Sequence, residues 1–571
     1  MTIEIVRRAI LAVLLVAACS TAPTPIDGGG GGPTTPAWVG LSGDRLAALP
    51  AHAGATSTTF TSHEQCAQCH AANQASQALR DAKGRDVSPV DLWRGSMMAH
   101  AARDPFWIAT VAHEDVHRPG ARATIERTCL ACHAPEGVTA AAQSGTSFSL
   151  ATLLTGQTPE ARLGREGVAC TLCHQITSTG LGTFQSFGGN FVLGEQRQIF
   201  GPHMNPNEQP MRMFVNYVPT AALHVQKSSF CAACHTVITR ALDANGKAVG
   251  PEFLEQAPYL EWRASAYSDE GTSGPRAASC QACHVPVVDD DNTPINAPIA
   301  TNPQGLMARS PLGRHVFVGG NAQVLGMLAD DTAWVGSDAT AAELSTQAAR
   351  AEASLRAAAK LTIVRATRAG DQVEVVVRVE NQTGHKFPTG YPSRRAWLHV
   401  KVSSGGATAF ESGRVDGYGR LIDRNGAALD AFNAKLVHRD VVDAENVAQV
   451  WEIVPGDASG RMAATPLDAT QVLKDDRLLP FGYQVGAANT LTNPVGVEGD
   501  ANFGASDDVT YRARVSGAAH VEVELLFQSI RPQELEALAK EATPAALKLF
   551  DMVSKKAMVP VVVGAVATDV N

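Results

Sequence analysis

The chain has 571 residues, 45% of them apolar and 18% charged, and a formal net charge of −9. That charge balance argues against a nucleic-acid binder, which needs a basic surface. Length alone allows roughly two to four domains.

The N-terminus opens with Arg7-Arg8 and an apolar stretch from Ala9 to Ala18, followed by Cys19-Ser20. This is the pattern of an export signal, and the stretch is too short for a permanent membrane span. Cys19 stands where a lipobox places the residue to be lipidated, so residues 1–18 are expected to be a lipoprotein signal peptide. Removing them takes away Glu4, Arg7 and Arg8 and leaves the chain one unit more negative. Residues 19–37, with "IDGGGGGPTTP", are expected to be a flexible tether. The expected location is therefore outside the cytoplasm, on the periplasmic side or cell surface, as an outer-membrane lipoprotein.

Residues 38–330 contain ten of the 11 cysteines, in five copies of one frame. These are Cys66-Ala-Gln-Cys69-His70, Cys129-Leu-Ala-Cys132-His133, Cys170-Thr-Leu-Cys173-His174, Cys231-Ala-Ala-Cys234-His235 and Cys280-Gln-Ala-Cys283-His284. C-x-x-C-H is the attachment signature of c-type haem: two thiols bond the macrocycle and the adjacent imidazole ligates iron. Structural zinc would pair knuckles into sets of four ligands, and five knuckles each followed by His leave an awkward count. Disulfides would explain ten exported cysteines but not a histidine after every second one. Five covalently bound haems are the expectation. Between the motifs the sequence is rich in Gly, Pro and Asn, with short helical patches at Val90 to Ala102 and Pro258 to Tyr267. Little regular structure is expected here.

Twelve histidines lie outside the motifs. If every iron is six-coordinate, five of them, or a methionine, are consumed as second axial ligands. His224 lies seven residues before Cys231, and His315 lies in a turn-rich loop after the last motif. His63 precedes Cys66 by three and is a candidate for a neighbouring haem, while His100 has Met97 and Met98 close by. His113, His117 and His203 are weaker candidates, and His399, His438 and His520 read as structural or surface groups in strands.

Residues 331–360 form a connector whose run from Ala341 to Lys360 predicts a helix. Residues 361–571 then alternate with period two over 372–381, 395–403, 447–454, 509–515 and 520–527. This predicts an antiparallel β-sandwich, closed by a helical tail over 533–556. The fold class is thus a helical, loop-rich multihaem domain followed by an all-β domain and a C-terminal helix. At the head of the β part, "NQTGHKFPTG" holds His385 in a Gly- and Pro-stiffened turn. We expect His385 to reach back over a haem, with Thr389 or a backbone carbonyl orienting its other nitrogen.

The segments "DLWRGSMMAHAARDPFW", "FCAACHTVIT", "FLEQAPYLEW", "SCQACHVP" and "GHKFPTGYPSRRAW" occur in this order. In them the chain resembles bacterial multihaem c-type cytochromes of the nitrite reductase, hydroxylamine oxidoreductase and tetrahaem nitrification cytochrome superfamily. The resemblance runs from Cys66 through the β part. Val285 stands where that superfamily usually has Met after the motif. No C-x-x-C-K occurs, so the nitrite reductase activity is not implied, and the cross-linking tyrosine pattern of the hydroxylamine oxidoreductases is not evident. The resemblance implies electron transfer rather than catalysis, with other redox proteins as partners: cytochromes, a membrane quinol dehydrogenase or an outer-membrane conduit. The alternative is an oxidoreductase for a small nitrogen or sulfur compound at one five-coordinate haem.

Overall fold

The structure, a computed structural model, describes residues 35–271, 273–486, 490–556 and 558–571. The signal peptide, Cys19 and most of the tether lie outside them. No helix among the described residues is long and apolar enough to cross a membrane.

The motif-bearing part is more regular than its composition suggests. Its longest helices are Pro105–His117, Arg122–His133 and Pro135–Ser144. Two of these begin at Pro, which fixes φ where no amide donor is needed. Asp104 caps the first by accepting from Phe106 N and Trp107 N. Two small sheets also occur: parallel β1 (Gln198–Gly201) and β2 (Val218–Ala221), and the hairpin β3 (Val237–Leu242) and β4 (Ala248–Gln256).

The connector is the helix Ala341–Ala358, started by a reciprocal capping box between Thr340 and Glu343. Its buried residues Leu344, Gln347, Ala351 and Leu355 recur at helical spacing, so one face is held in the core.

Ten strands follow: β5 (Ala359–Ala369), β6 (Gln372–Asn381), β7 (Arg395–Ser404), β8 (Ala407–Ser412), β9 (Val441–Val442), β10 (Val450–Gly456), β11 (Gln471–Asp475), β12 (Ser506–Arg514), β13 (Ala519–Gln528) and β14 (Val561–Val570). One sheet runs β11-β10-β7-β13-β14 with β8 on β7, and the other runs β5-β6-β12-β9. They pack face to face. Val373, Val375, Val377 and Val379 of β6 meet Leu398, Val400 and Val402 of β7 and Val521, Val523 and Leu525 of β13 in one core. Each such side chain removed from water contributes about 1.5–3 kcal/mol, which fixes the register of every strand.

The expected helical tail is two helices, Pro532–Ala539 and Pro544–Lys555, and it does not close the chain. β14 does, pairing antiparallel with β13 along its length. The second tail helix shares a core with Pro105–His117, through Leu549, Phe550 and Val553 against Ile108 and Ala109. The end of the chain therefore packs on the motif-bearing part.

Candidate functional site

Three motifs lie wholly on helices, His63–His70, Arg122–His133 and Cys280–His284, while the third runs past Cys170–Cys173 to His174 and the fourth past Ser228–Ala232 to His235. On a helix, residues three and four apart share a face, so both thiols and the imidazole of the three helical frames project to one side. The ten thiols are all free.

Four of the five motif histidines share one hydrogen-bonding pattern. His70 Nδ1 donates to Ile299 O (2.8 Å), His133 to Ala101 O (2.8 Å), His174 to Phe200 O (2.6 Å) and His284 to Val318 O (2.7 Å). A carbonyl only accepts, so Nδ1 carries the proton and Nε2 is left with its lone pair. Burial lowers the pKa of all five motif histidines, to about 4 for His133 and His235. Neutral imidazole with an anchored Nδ1 is the form that ligates a metal. By surface area the His70, His133, His174 and His284 rings are only half-buried, yet burial dominates their titration. Both hold if the rings lie deep in the chain and line internal space. These residues fit haem c.

Two motif histidines face a second histidine. The ring centres of His174 and His315 are 6.2 Å apart at 26°, and those of His284 and His385 are 6.4 Å apart at 24°. A metal ion held between two imidazoles at about 2 Å from a nitrogen of each, with about 1.1 Å from nitrogen to ring centre, would put the ring centres roughly 6.2 Å apart, so each pair fits a shared metal. His315 Nδ1 donates to Gly313 O (3.0 Å) and His385 Nδ1 to Lys386 O (2.9 Å). Burial lowers both pKa values, that of His315 to about 4. The four rings thus have the same anchored, neutral form.

The turn carrying His385 is clamped to the helix Pro258–Arg263. Lys386 N and Thr389 Oγ1 donate to Glu261 Oε2 (3.1 and 2.6 Å), while Lys386 Nζ meets Asp475 Oδ2 at 2.7 Å. Arg477 bridges Asp475 and Glu261 (2.8 and 2.9 Å), so four buried charges alternate in sign. A Cβ on Gly384 would come within 3.1 Å of Trp262, which explains the glycine. Thr389 was expected as a possible partner of His385; its hydroxyl instead serves Glu261, and the backbone carbonyl orients the ring.

Three other candidates have their nitrogens engaged elsewhere. His63 is an ion-pair group, with Nδ1 on Glu166 Oε2 (2.7 Å) and Nε2 on Asp338 Oδ2 (2.9 Å). Burial alone would lower its pKa, but the hydrogen bonds to Asp338 and Glu166 prevail and hold it at about 10. His100 donates from Nδ1 to Ser96 O (2.8 Å) and meets Ser337 Oγ with Nε2 (2.9 Å). His224 gives Nε2 to Ile176 O (2.7 Å) between the rings of Phe200 and Phe230. In this arrangement neither ring nitrogen of His63 or His100, nor Nε2 of His224, is available to iron. Sequence proximity to a motif favoured these histidines; only the fold shows what receives the nitrogens.

The motifs are also close to one another, which spacing along the chain does not reveal. The Cys66 thiol meets that of Cys170, Cys132 that of Cys234, and Cys231 that of Cys280. Ser228 Oγ accepts from Cys280 N (3.0 Å), and Thr171 Oγ1 donates to Thr61 O (2.9 Å) beside the first motif. Gly189 N donates to Ala233 O at 2.8 Å, and a Cβ on Gly189 would lie 3.0 Å from Ala131 O. A side chain at Gly189 would therefore wedge the second and fourth motifs apart. The Gly188-Gly189 pair was the sequence signal for this, and it was not read.

Among solved structures, the chain is similar to the penta-haem cytochrome c552 from Thermochromatium tepidum. Identity is 17%, coverage 90% of this chain and 100% of that one, and the TM-score 0.49. No protein-family model and no curated protein matches. The case for haem c rests on the five motifs and the imidazole geometry.

Proposed function

We propose that the chain is a pentahaem c-type cytochrome that relays electrons, exported and held at a membrane by a lipid on Cys19. The observation that carries it is the motif imidazole, lowered in pKa by burial at all five motifs and hydrogen-bonded through Nδ1 to a carbonyl at four of them. Haem c, when bound, supplies one-electron redox chemistry. The chain supplies thioether attachment through Cys66, Cys69, Cys129, Cys132, Cys170, Cys173, Cys231, Cys234, Cys280 and Cys283. His70, His133, His174, His235 and His284 would hold the irons from the motif side, and His315 and His385 would hold the third and fifth from the other. Histidine on both sides favours a low potential relative to His/Met. The fourth motif adjoins the second, third and fifth, and the first adjoins the third, so the relay would have its centre at the fourth. Partners are other redox proteins, and the negative surface suits docking against a basic patch.

A second reading is favoured by one feature. Burial lowers the His235 pKa first, and the Arg394 guanidinium is close enough to help lower it further. Arg394 is held by Thr389 O and Asn321 Oδ1 (both 3.1 Å). A guanidinium beside a motif histidine suits a small anion, so the fourth site is where an oxidoreductase acting on a nitrogen or sulfur oxyanion would work.

Mass spectrometry of the purified protein tests attachment, and a mass short of five haems sinks the proposed number. Electron paramagnetic resonance then separates the readings. All irons low-spin supports the relay. A full equivalent of high-spin iron whose signal shifts with nitrite or sulfite supports the second.

A further inference from the structure

We propose that the β-sandwich holds a divalent metal ion between His438, Asp440, Asp500 and Asp507. It lies on segments without any C-x-x-C-H motif and is independent of the haem reading. One ligating atom from each of the four residues lies within 4.8 Å of all the others. The backbone brings them together: β9 pairs in parallel with β12 at Val441 and Thr510, and Thr510 N donates to Asp440 O (2.8 Å). That pairing sets His438 and Asp440, just before β9, against Asp507 in β12. Asp500 comes from the loop before β12, which is tied down by Asn502 N on Asp500 Oδ1 and Asp508 N on Asn502 Oδ1 (2.8 and 2.6 Å).

An acidic cluster alone would say little, but Asp507 adds a separate observation. It has no accessible surface, and while Oδ2 accepts from Trp451 Nε1 (2.8 Å), its buried Oδ1 has no hydrogen-bond partner. A buried carboxylate oxygen without a donor is costly unless a cation faces it. His438 is oriented as a ligand would be. Its Nδ1 is fixed by Asp476 Oδ2 at 3.0 Å, and Asp476 Oδ1 accepts from Glu452 N (2.9 Å). Nε2 then points between Asp500 Oδ2 (3.0 Å) and Asp507 Oδ2 (3.8 Å). A carboxylate behind a histidine is the usual support of a metal-bound imidazole. Asp440 is exposed, which leaves a path from solvent.

Without metal, protons do the neutralising. Burial, against the pull of His438, holds Asp507 up at about 7. Asp440 is raised by burial and by the neighbouring Asp500 carboxylate. Burial would lower His438, but Asp476 and the other carboxylates hold it at about 9. One nitrogen with three carboxylates suits Zn2+ or Mn2+, whereas Ca2+ prefers an all-oxygen shell.

The test is calorimetric titration of the full-length, haem-loaded protein with ZnCl2 after EDTA treatment. The result expected is one Zn2+ bound per chain, and loss of more than tenfold in affinity in both H438Q and D440N. D440N alters an exposed residue, so it keeps the test informative if H438Q or D507N folds poorly. D476N is expected to weaken binding about 10–100-fold through the ring it orients. Zn2+ affinity and stoichiometry unchanged in H438Q and D440N would overturn the proposal, as would Ca2+ binding that H438Q leaves intact.

Discussion

The neighbourhoods of the fifth and first motifs each place a buried histidine beside an attachment site, and they make opposite things of it. His385 has its Nδ1 on a backbone carbonyl and its ring 6.4 Å from His284, and burial keeps it neutral. His63, three residues from Cys66, has a carboxylate on each nitrogen and is held protonated up to about pH 10. A carbonyl accepts one proton and leaves the other nitrogen free; two carboxylates hold both protons unless a cation displaces one. The form each of these two histidines takes thus follows its acceptors, not its distance from a motif in sequence.

The largest expected effect breaks the fifth site. In the haem-loaded protein, H385A should convert one iron from low-spin to high-spin, H315A another, and the double variant two. H63Q and H100A should leave the low-spin count at its wild-type value. Electron paramagnetic resonance on the oxidised protein reads all of these, and an H63Q spectrum that lost a low-spin component would invert the comparison.

The next effect concerns what holds His385 in place. Lys386 and Asp475 are buried and paired at 2.7 Å, with Arg477 and Glu261 completing the alternation. Removing one partner leaves an uncompensated buried charge and typically costs about 3–5 kcal/mol. K386M should lower the denaturation midpoint accordingly and weaken the low-spin signal assigned to the fifth site. E261Q should do less, because the glutamine oxygen still accepts from Lys386 N and Thr389.

A smaller effect sharpens the contrast between legible and illegible contacts. G189A puts a Cβ at φ +84° within 3.0 Å of Ala131. Strain of that kind costs about 1–3 kcal/mol and should fall on the approach of the second and fourth motifs. Thermal denaturation measures it; a G189A midpoint equal to wild type would mean the two motifs can part freely.

What was legible in the sequence follows the range of the interactions involved. β6, β7, β12 and β13 alternate Val and Leu with polar residues, so each strand declares its buried face locally, and the helix Ala341–Ala358 declares its capping box. β14 was missed because Val561–Val570 mixes Gly564 and alanines into a weak alternation, and only its pairing with β13 specifies it. The C-x-x-C-H frames are local and were plain. The histidine facing a motif histidine is not local where there is one: His174 meets His315, and His284 meets His385, across long stretches of chain. His63 and His224 were favoured on proximity, a criterion that carries no information about where a nitrogen points.

The smallest effect is the pH dependence that His63 imposes. Its folded pKa is raised to about 10 from an ordinary value near 6.5, so the folded state binds its proton more tightly than the unfolded state. That contribution is fully present below about pH 6.5 and is lost as pH rises towards 10. Between pH 7 and pH 8 it should remove at most about 1.4 kcal/mol, the limit for one proton per pH unit. The H63Q protein lacks the titrating group, so its urea midpoint should fall less over that interval than wild type does. Equal slopes would mean that His63 is not held protonated, which would free a nitrogen and return it to the set of candidate ligands. His385 provides the control: its pKa is lowered, so deprotonation above pH 7 changes nothing, and H385A should keep the wild-type slope in this range.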